Sequence, residues 1–149
     1  MSRTRRIHRI AVALACAVAL AGSTGCSNSP TNPTPVTFSQ SDLRPGTGTE
    51  ATAGKTLTVN YTGWLYDVNA SAADNKGILF ETSLGADPFS FTLGAGQVIA
   101  GWDQGLVGMR VGGLRRLVIP PSLAYGATRR SLIPPYATLI FEVELIAVE

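Results

Sequence analysis

The sequence predicts an α+β fold: one antiparallel sheet of about five strands with a single short helix laid against one face. Two observations carry this. Apolar residues alternate with polar ones in several short segments bounded by Gly and Pro turns. Only one stretch shows helical spacing, and strands flank it on both sides, which is the layering of a helix packed on a sheet.

The first clear strand is "TLTVNYTGWLY" (56–66), with Leu57, Val59, Tyr61 and, past Gly63, Leu65 on one face. "PFSFTL" (88–93) sets Phe89 and Phe91 on one side and Ser90 and Thr92 on the other. The helical stretch lies in "GQVIAGWDQGLVGMRVGG" (96–113), where Val98, Ile99, Trp102 and Leu106 share a face. Each glycine weakens a helix by roughly 1 kcal/mol relative to alanine. Gly101 and Gly105 are therefore expected where the helix backbone presses onto the sheet, with Trp102 projecting into the concavity between them. "LRRLVIP" (114–120) is a further strand. "ATLIFEVELIAVE" (137–149) is the clearest, with Leu139, Phe141, Val143 and Leu145 inward and Glu142 and Glu144 outward. The run "DVNASAADNKGI" (67–78) reads as a surface loop. There is no internal repeat.

Composition bounds the function classes. The chain has 149 residues, 45% of them hydrophobic and 15% charged, which suits a globular core. The net charge of +2 is misleading, because Arg3, Arg5, Arg6 and Arg9 open the chain. Without residues 1–25, eight basic residues face ten acidic ones. Arg115, Arg116, Arg129 and Arg130 alone do not make the basic face a nucleic-acid partner needs, so none is expected. "GAG" at 94–96 lacks the full glycine pattern and the βαβ setting of a dinucleotide site.

The N-terminus reads as an export signal, residues 1–25. A basic start precedes the apolar run "IAVALACAVALAG" (10–22), shorter than the roughly 20 residues a membrane span takes. "STGC" ending at Cys26 resembles a lipobox, with Ser23 where leucine is usual, so Cys26 is the expected lipidation site and mature N-terminus. A plain secretory signal with a leftover cysteine is the alternative. Ser27 is no retention aspartate, which favours the outer membrane if the cell has one. Residues 26–37 read as a flexible Pro/Ser/Thr-rich tether, and 38–149 as the folded domain with a core of about 54–148. Past Cys26 there is neither cysteine nor histidine, so thiol chemistry and cysteine-ligated metal are not expected.

Five segments, "VNYTGWL" (59–65), "FETS" (80–83), "PFSFTLGAGQVIAGWDQGLVGMRVGG" (88–113), "IPPSLAYG" (119–126) and "IPPYATLIFEVEL" (133–145), stand in the order and spacing of one family. In them the chain resembles the FKBP family of macrolide-binding peptidyl-prolyl cis-trans isomerases. The resemblance implies a half-barrel sheet wrapped around one helix. It also implies a proline pocket with Trp102 as floor and Tyr61, Phe80, Phe89, Val98, Ile133 and Phe141 around it. The Ile99 N–H and the Tyr125 hydroxyl would donate to the substrate, and Glu81 would accept near Tyr61. Val98 and Ile99 would open the helix.

The reaction so implied rotates an X–Pro amide over a barrier of roughly 18–20 kcal/mol and breaks no bond. No metal, cofactor or general base is called for. The expected partners are proline-containing polypeptides, with tacrolimus and rapamycin as inhibitors, acting on exported or envelope proteins from a monomer. Glu81 stands where the family most often has aspartate, Leu123 where it often has an aromatic, and "ATRRSL" (127–132) brings two arginines to the rim. The alternative function is a proline-binding chaperone or adaptor with little isomerase activity. A domain keeping only the scaffold would have lost the pocket aromatics, and they are present.

Overall fold

The computed structural model describes residues 35–70 and 74–149; the signal segment, Cys26 and most of the tether lie outside these residues. Six strands appear: β1 (Ser39–Arg44), β2 (Thr56–Tyr66), β3 (Lys76–Thr82), β4 (Phe89–Thr92), β5 (Leu114–Ile119) and β6 (Leu139–Val148). Helix α1 (Ala100–Gly105) lies between β4 and β5, and a 3-10 turn (Pro121–Leu123) follows β5. The sheet order is β1-β5-β6-β2-β3, with β4 paired to the other part of β2, and every pairing is antiparallel.

Two elements differ from the sequence reading. Strand β1, "SQSDLR", is exposed along its whole length, so no alternation marks it. The run 67–78 is not loop throughout, because β3 already begins at Lys76. There Lys76 bridges Asp74 (3.3 Å) and Glu142 (2.5 Å) and lies 4.4 Å over the Trp64 ring, so ionic rather than apolar contacts start the strand.

The core lies between sheet and helix. Leu57 and Val59 of β2, Leu117 and Ile119 of β5, and Leu139, Val143 and Leu145 of β6 are all fully buried. Helix α1 lies on β5 at a separation only glycine permits. A Cβ on Gly101 would stand 2.4 Å from Ile119 Cγ2, and one on Gly105 would stand 2.7 Å from Leu117 Cδ2. Close packing here outweighs the helix propensity forgone.

The far end of the helix is tied by one side chain. Arg115, in β5, is buried and donates from Nη1 to the carbonyls of Gly105 (2.9 Å) and Val107 (3.0 Å). Its Nε and Nη2 grip Asp42 of β1 at 2.6 and 3.1 Å. A cation on the last carbonyls of a helix suits the local dipole. Arg116 donates to the Asp74 carbonyl, so these two arginines hold structure together.

Candidate functional site

Strands β2, β3, β4 and β6, the start of α1 and the loop after the 3-10 turn enclose a cavity of about 510 Å³. That is within the range of small-ligand sites. Its floor is Trp102, only 4% exposed. Tyr61 and Phe141 meet the indole nearly edge-on, with centroids 5.1 and 5.3 Å away, and Phe91 tilts against it at 5.7 Å. Such edge contacts satisfy the ring quadrupoles and fix each ring's orientation. The Trp102 Nε1 is buried and has no hydrogen-bond partner among the described residues. An orphaned donor costs roughly 1–3 kcal/mol, which the packing of four rings offsets.

The walls come from separate elements. Phe89, 40% exposed, stacks on Phe91 at 5.7 Å and stands as the outer wall. Tyr61 is held by its backbone: its N–H donates to Ser83 Oγ (2.9 Å) and its carbonyl accepts from Ser83 N–H (3.0 Å). Gly63 leaves room beside it, since a Cβ there would lie 2.6 Å from Phe80 and 2.9 Å from Phe141.

The helix entry differs from the expected one. Val98 and Ile99 precede the helix rather than open it: Ile99 is its N-cap, with extended backbone (φ −60°, ψ 147°) and no side-chain cap. The Ile99 carbonyl accepts from Trp102 N–H at 2.9 Å. Its own N–H has no acceptor among the described residues, and Ile99 lines the cavity. The loop before it is fixed by Asp103, whose carboxylate accepts from Gly94 N–H (2.8 Å) and Gly96 N–H (3.1 Å). Both glycines have positive φ (80° and 68°), where side chains are strained.

Two phenols and two charges complete the site. Burial pushes the Tyr61 hydroxyl up to about 12, and the negative charge of Glu81 adds to the shift. The Tyr125 hydroxyl is raised by burial and by Glu81, against the opposing pull of Arg130. Both hydroxyls are therefore protonated donors at neutral pH. Glu81 is exposed and lines the cavity beside Tyr61, acting on its hydroxyl both by charge and by hydrogen bonding. Arg130 stands 5.5 Å over the Tyr125 ring.

Of the ten expected pocket residues, eight line this cavity: Tyr61, Glu81, Phe89, Val98, Ile99, Trp102, Tyr125 and Phe141. Phe80 and Ile133 do not. Phe80 packs edge-on behind Phe141 (5.5 Å, 88°) and supports that wall. Ile133 is buried in the core and anchors the loop that carries Arg130. Gln97, Ala124 and Arg130 also line the cavity; the first two lie within the family-like segments, where nothing singles them out as site residues. Gln97 is turned inward by a bond from Thr92 N–H (2.8 Å), a contact with no sequence signature. Among the described residues, no three His, Cys, Asp or Glu side chains gather as metal ligands would.

Comparison with known proteins places this geometry in a family. The model of the FKBP-type peptidyl-prolyl cis-trans isomerases matches residues 47–146. The FK506-binding protein of Neisseria meningitidis serogroup A is 50% identical over 109 residues, 72% of this chain and 92% of that protein. Among solved structures, a peptidyl-prolyl cis-trans isomerase of Pseudomonas syringae is 39% identical with a TM-score of 0.61, over 75% of each chain. FkpA from Escherichia coli is 38% identical with a TM-score of 0.61, over 75% of this chain and 48% of that one.

Proposed function

Because the chain belongs to the FKBP-type peptidyl-prolyl cis-trans isomerase family, we propose that its aromatic cavity is where X–Pro bonds turn, in exported or envelope proteins. The chain is an isomerase of this type.

Unassisted, the bond takes about 10–100 s to turn. Twisting the amide breaks its resonance, so the carbonyl loses polarity at the transition state. A dry aromatic site solvates the planar, polar ground state poorly and the twisted form comparatively well. Trp102 offers the flat floor for the proline ring, and Phe89, Tyr61 and Phe141 keep water off the amide. The free Ile99 N–H orients a substrate carbonyl, and the Tyr125 hydroxyl donates beside it. Each tenfold in rate takes about 1.4 kcal/mol, so a few oriented bonds and desolvation suffice. The observation that carries this is that Ile99, whose N–H has no acceptor among the described residues, and Tyr125 line one cavity with Trp102, Tyr61, Phe89 and Phe141.

The test is isomerisation of short Leu-Pro and Phe-Pro peptides by the purified chain, with tacrolimus or rapamycin added. Acceleration that the macrolide abolishes, and that Trp102→Ala removes, is expected. Glu81 favours a second reading. Exposed at the cavity wall where the family most often has aspartate, it leaves a proline-binding chaperone or adaptor with little isomerase activity as the alternative. Macrolide binding without acceleration would select it.

Export and anchoring rest on the basic start, the apolar run 10–22 and Cys26. A lipidated Cys26 with residues 27–37 as tether would hold a monomeric domain off the membrane, the outer one where the cell has two. Cys26→Ser should move the protein from the membrane to the soluble fraction; retention in the membrane would refute the anchor.

A further inference from the structure

We propose that Arg130 is a specificity-determining residue that favours substrates with a carboxylate side chain next to the proline; this rests on the isomerase reading of the same cavity. Among the described residues two charged side chains line the cavity, Glu81 and Arg130, and they belong to different elements, β3 and the loop after the 3-10 turn. A proline ring seated on Trp102 sends its neighbours out past that rim.

Arg129 and Arg130 share the lack of an ion-pair partner among the described residues, and of the two it is Arg130 that lines the cavity. Arg44 pairs with Glu144, Arg110 with Glu50 and Arg115 with Asp42, while Arg116 donates to a carbonyl. Among the described residues, the Arg130 guanidinium has neither a carboxylate nor a carbonyl acceptor; it stands 5.5 Å over the Tyr125 ring. A guanidinium held over an aromatic face by cation–π attraction keeps its N–H donors unused.

The backbone beneath it is fixed. Arg130 N–H donates to the Ile133 carbonyl (3.0 Å) and Ile133 N–H returns a bond (2.6 Å), with the Ile133 side chain buried in the core. Tyr136 N–H closes the loop onto the Gly126 carbonyl at 2.7 Å. An unspent cation held at the mouth of an apolar pocket favours a carboxylate through paired N–H···O bonds and repels a lysine. Glu81, on β3, repels acids instead, so the preference should belong to one flank of the proline.

The experiment compares kcat/KM for peptides carrying Glu or Lys on one flank of the proline and Ala on the other, for both flanks. At one flank Glu should exceed Lys by about threefold to tenfold, the scale of a partly exposed pair, and 1 M salt should shrink the ratio. Arg130→Gln should bring that ratio towards one and Arg130→Glu should invert it. Arg129→Gln, which removes the same net charge outside the cavity lining, should leave it in place. Equal rates for Glu and Lys at both flanks, or a ratio that Arg129→Gln erases as well, would overturn the proposal and leave the isomerase reading standing. No acceleration of any peptide would overturn both.

Discussion

The two ends of helix α1 are built oppositely. At its C-terminal end Arg115 fills the last carbonyls, of Gly105 and Val107, and locks them to Asp42 on β1. At its N-terminal end no side chain caps the helix, and Ile99, which lines the cavity, has an N–H without an acceptor among the described residues. The helix is only six residues long, so both ends lie within two turns of Trp102. One end spends its polar groups on the fold; the other leaves the donor that the proposed mechanism uses for a substrate carbonyl.

The largest effect should come from the residue between the two ends. Trp102→Ala removes the floor, four ring contacts and most of a buried side chain. It should cost about 3–5 kcal/mol in urea unfolding. It should also lower kcat/KM by about a hundredfold or more, since the proline ring loses its surface. A stable variant with full activity would mean that the catalytic surface lies elsewhere.

Next comes the sealed end. Arg115→Met keeps an apolar stem but takes the donors from two carbonyls and from Asp42. Asp42 is partly exposed and can hydrate, so the cost should be about 2–4 kcal/mol. Activity per folded molecule should hold, because Arg115 lies at the end away from the cavity. If kcat/KM instead fell as steeply as stability, the two ends would be coupled and the division between them false.

How much of the molecule is legible in its sequence follows the same division. Alternation in β2 and β6 and the spacing through Trp102 point to the buried floor, because burial imposes a period on sequence. Gly101 and Gly105 are legible as points of close approach, and Ile119 and Leu117 are what they approach. Strand β1 is not legible, since its exposed residues carry no period and it is held by pairing with β5 and by Arg115. Family resemblance assigns Phe80 and Ile133 to the wall. In the structure Phe80 meets Phe141 edge-on and Ile133 bridges to Arg130, and it is Phe141 and Arg130 that line the cavity. The segment "ATRRSL" (127–132) places Arg130 at the rim, but that Arg130 rather than Arg129 lines the cavity, and that Gln97 does, depends on contacts that no local pattern records.

Gly101→Ala sharpens the contact that seats the helix. Alanine favours helix by roughly 1 kcal/mol over glycine, but the new Cβ would meet Ile119 at 2.4 Å. Overpacking of this kind costs about 1–3 kcal/mol, so against the helix gain the net destabilisation should be about 0–2 kcal/mol. Ile119→Val in the same chain should recover part of it; no recovery would place the strain elsewhere. At the open end, Tyr125→Phe removes one donor and should lower kcat/KM up to about tenfold with stability nearly unchanged, the worth of about one hydrogen bond. A drop beyond a hundredfold would make the hydroxyl central to the reaction.

The smallest effect at neutral pH, and the one that separates the ends by titration, is the pH dependence of stability. Asp42 at the sealed end is held below its ordinary 3.8 by its bonds to Arg115. A lowered folded value means that the unfolded chain binds the proton more readily. This stabilisation is therefore complete above pH 3.8 and lost as pH falls through the folded value. Tyr61 at the open end is raised from 10.0 to about 12, so the folded chain holds its proton longer. Its contribution is complete below pH 10.0 and lost as pH rises towards 12. Urea titrations from pH 2 to 12 should thus show an acid limb that Arg115→Met flattens and an alkaline limb that Tyr61→Phe flattens, each variant leaving the other limb alone. A variant that altered both limbs would show that charge at one end of the helix is felt at the other.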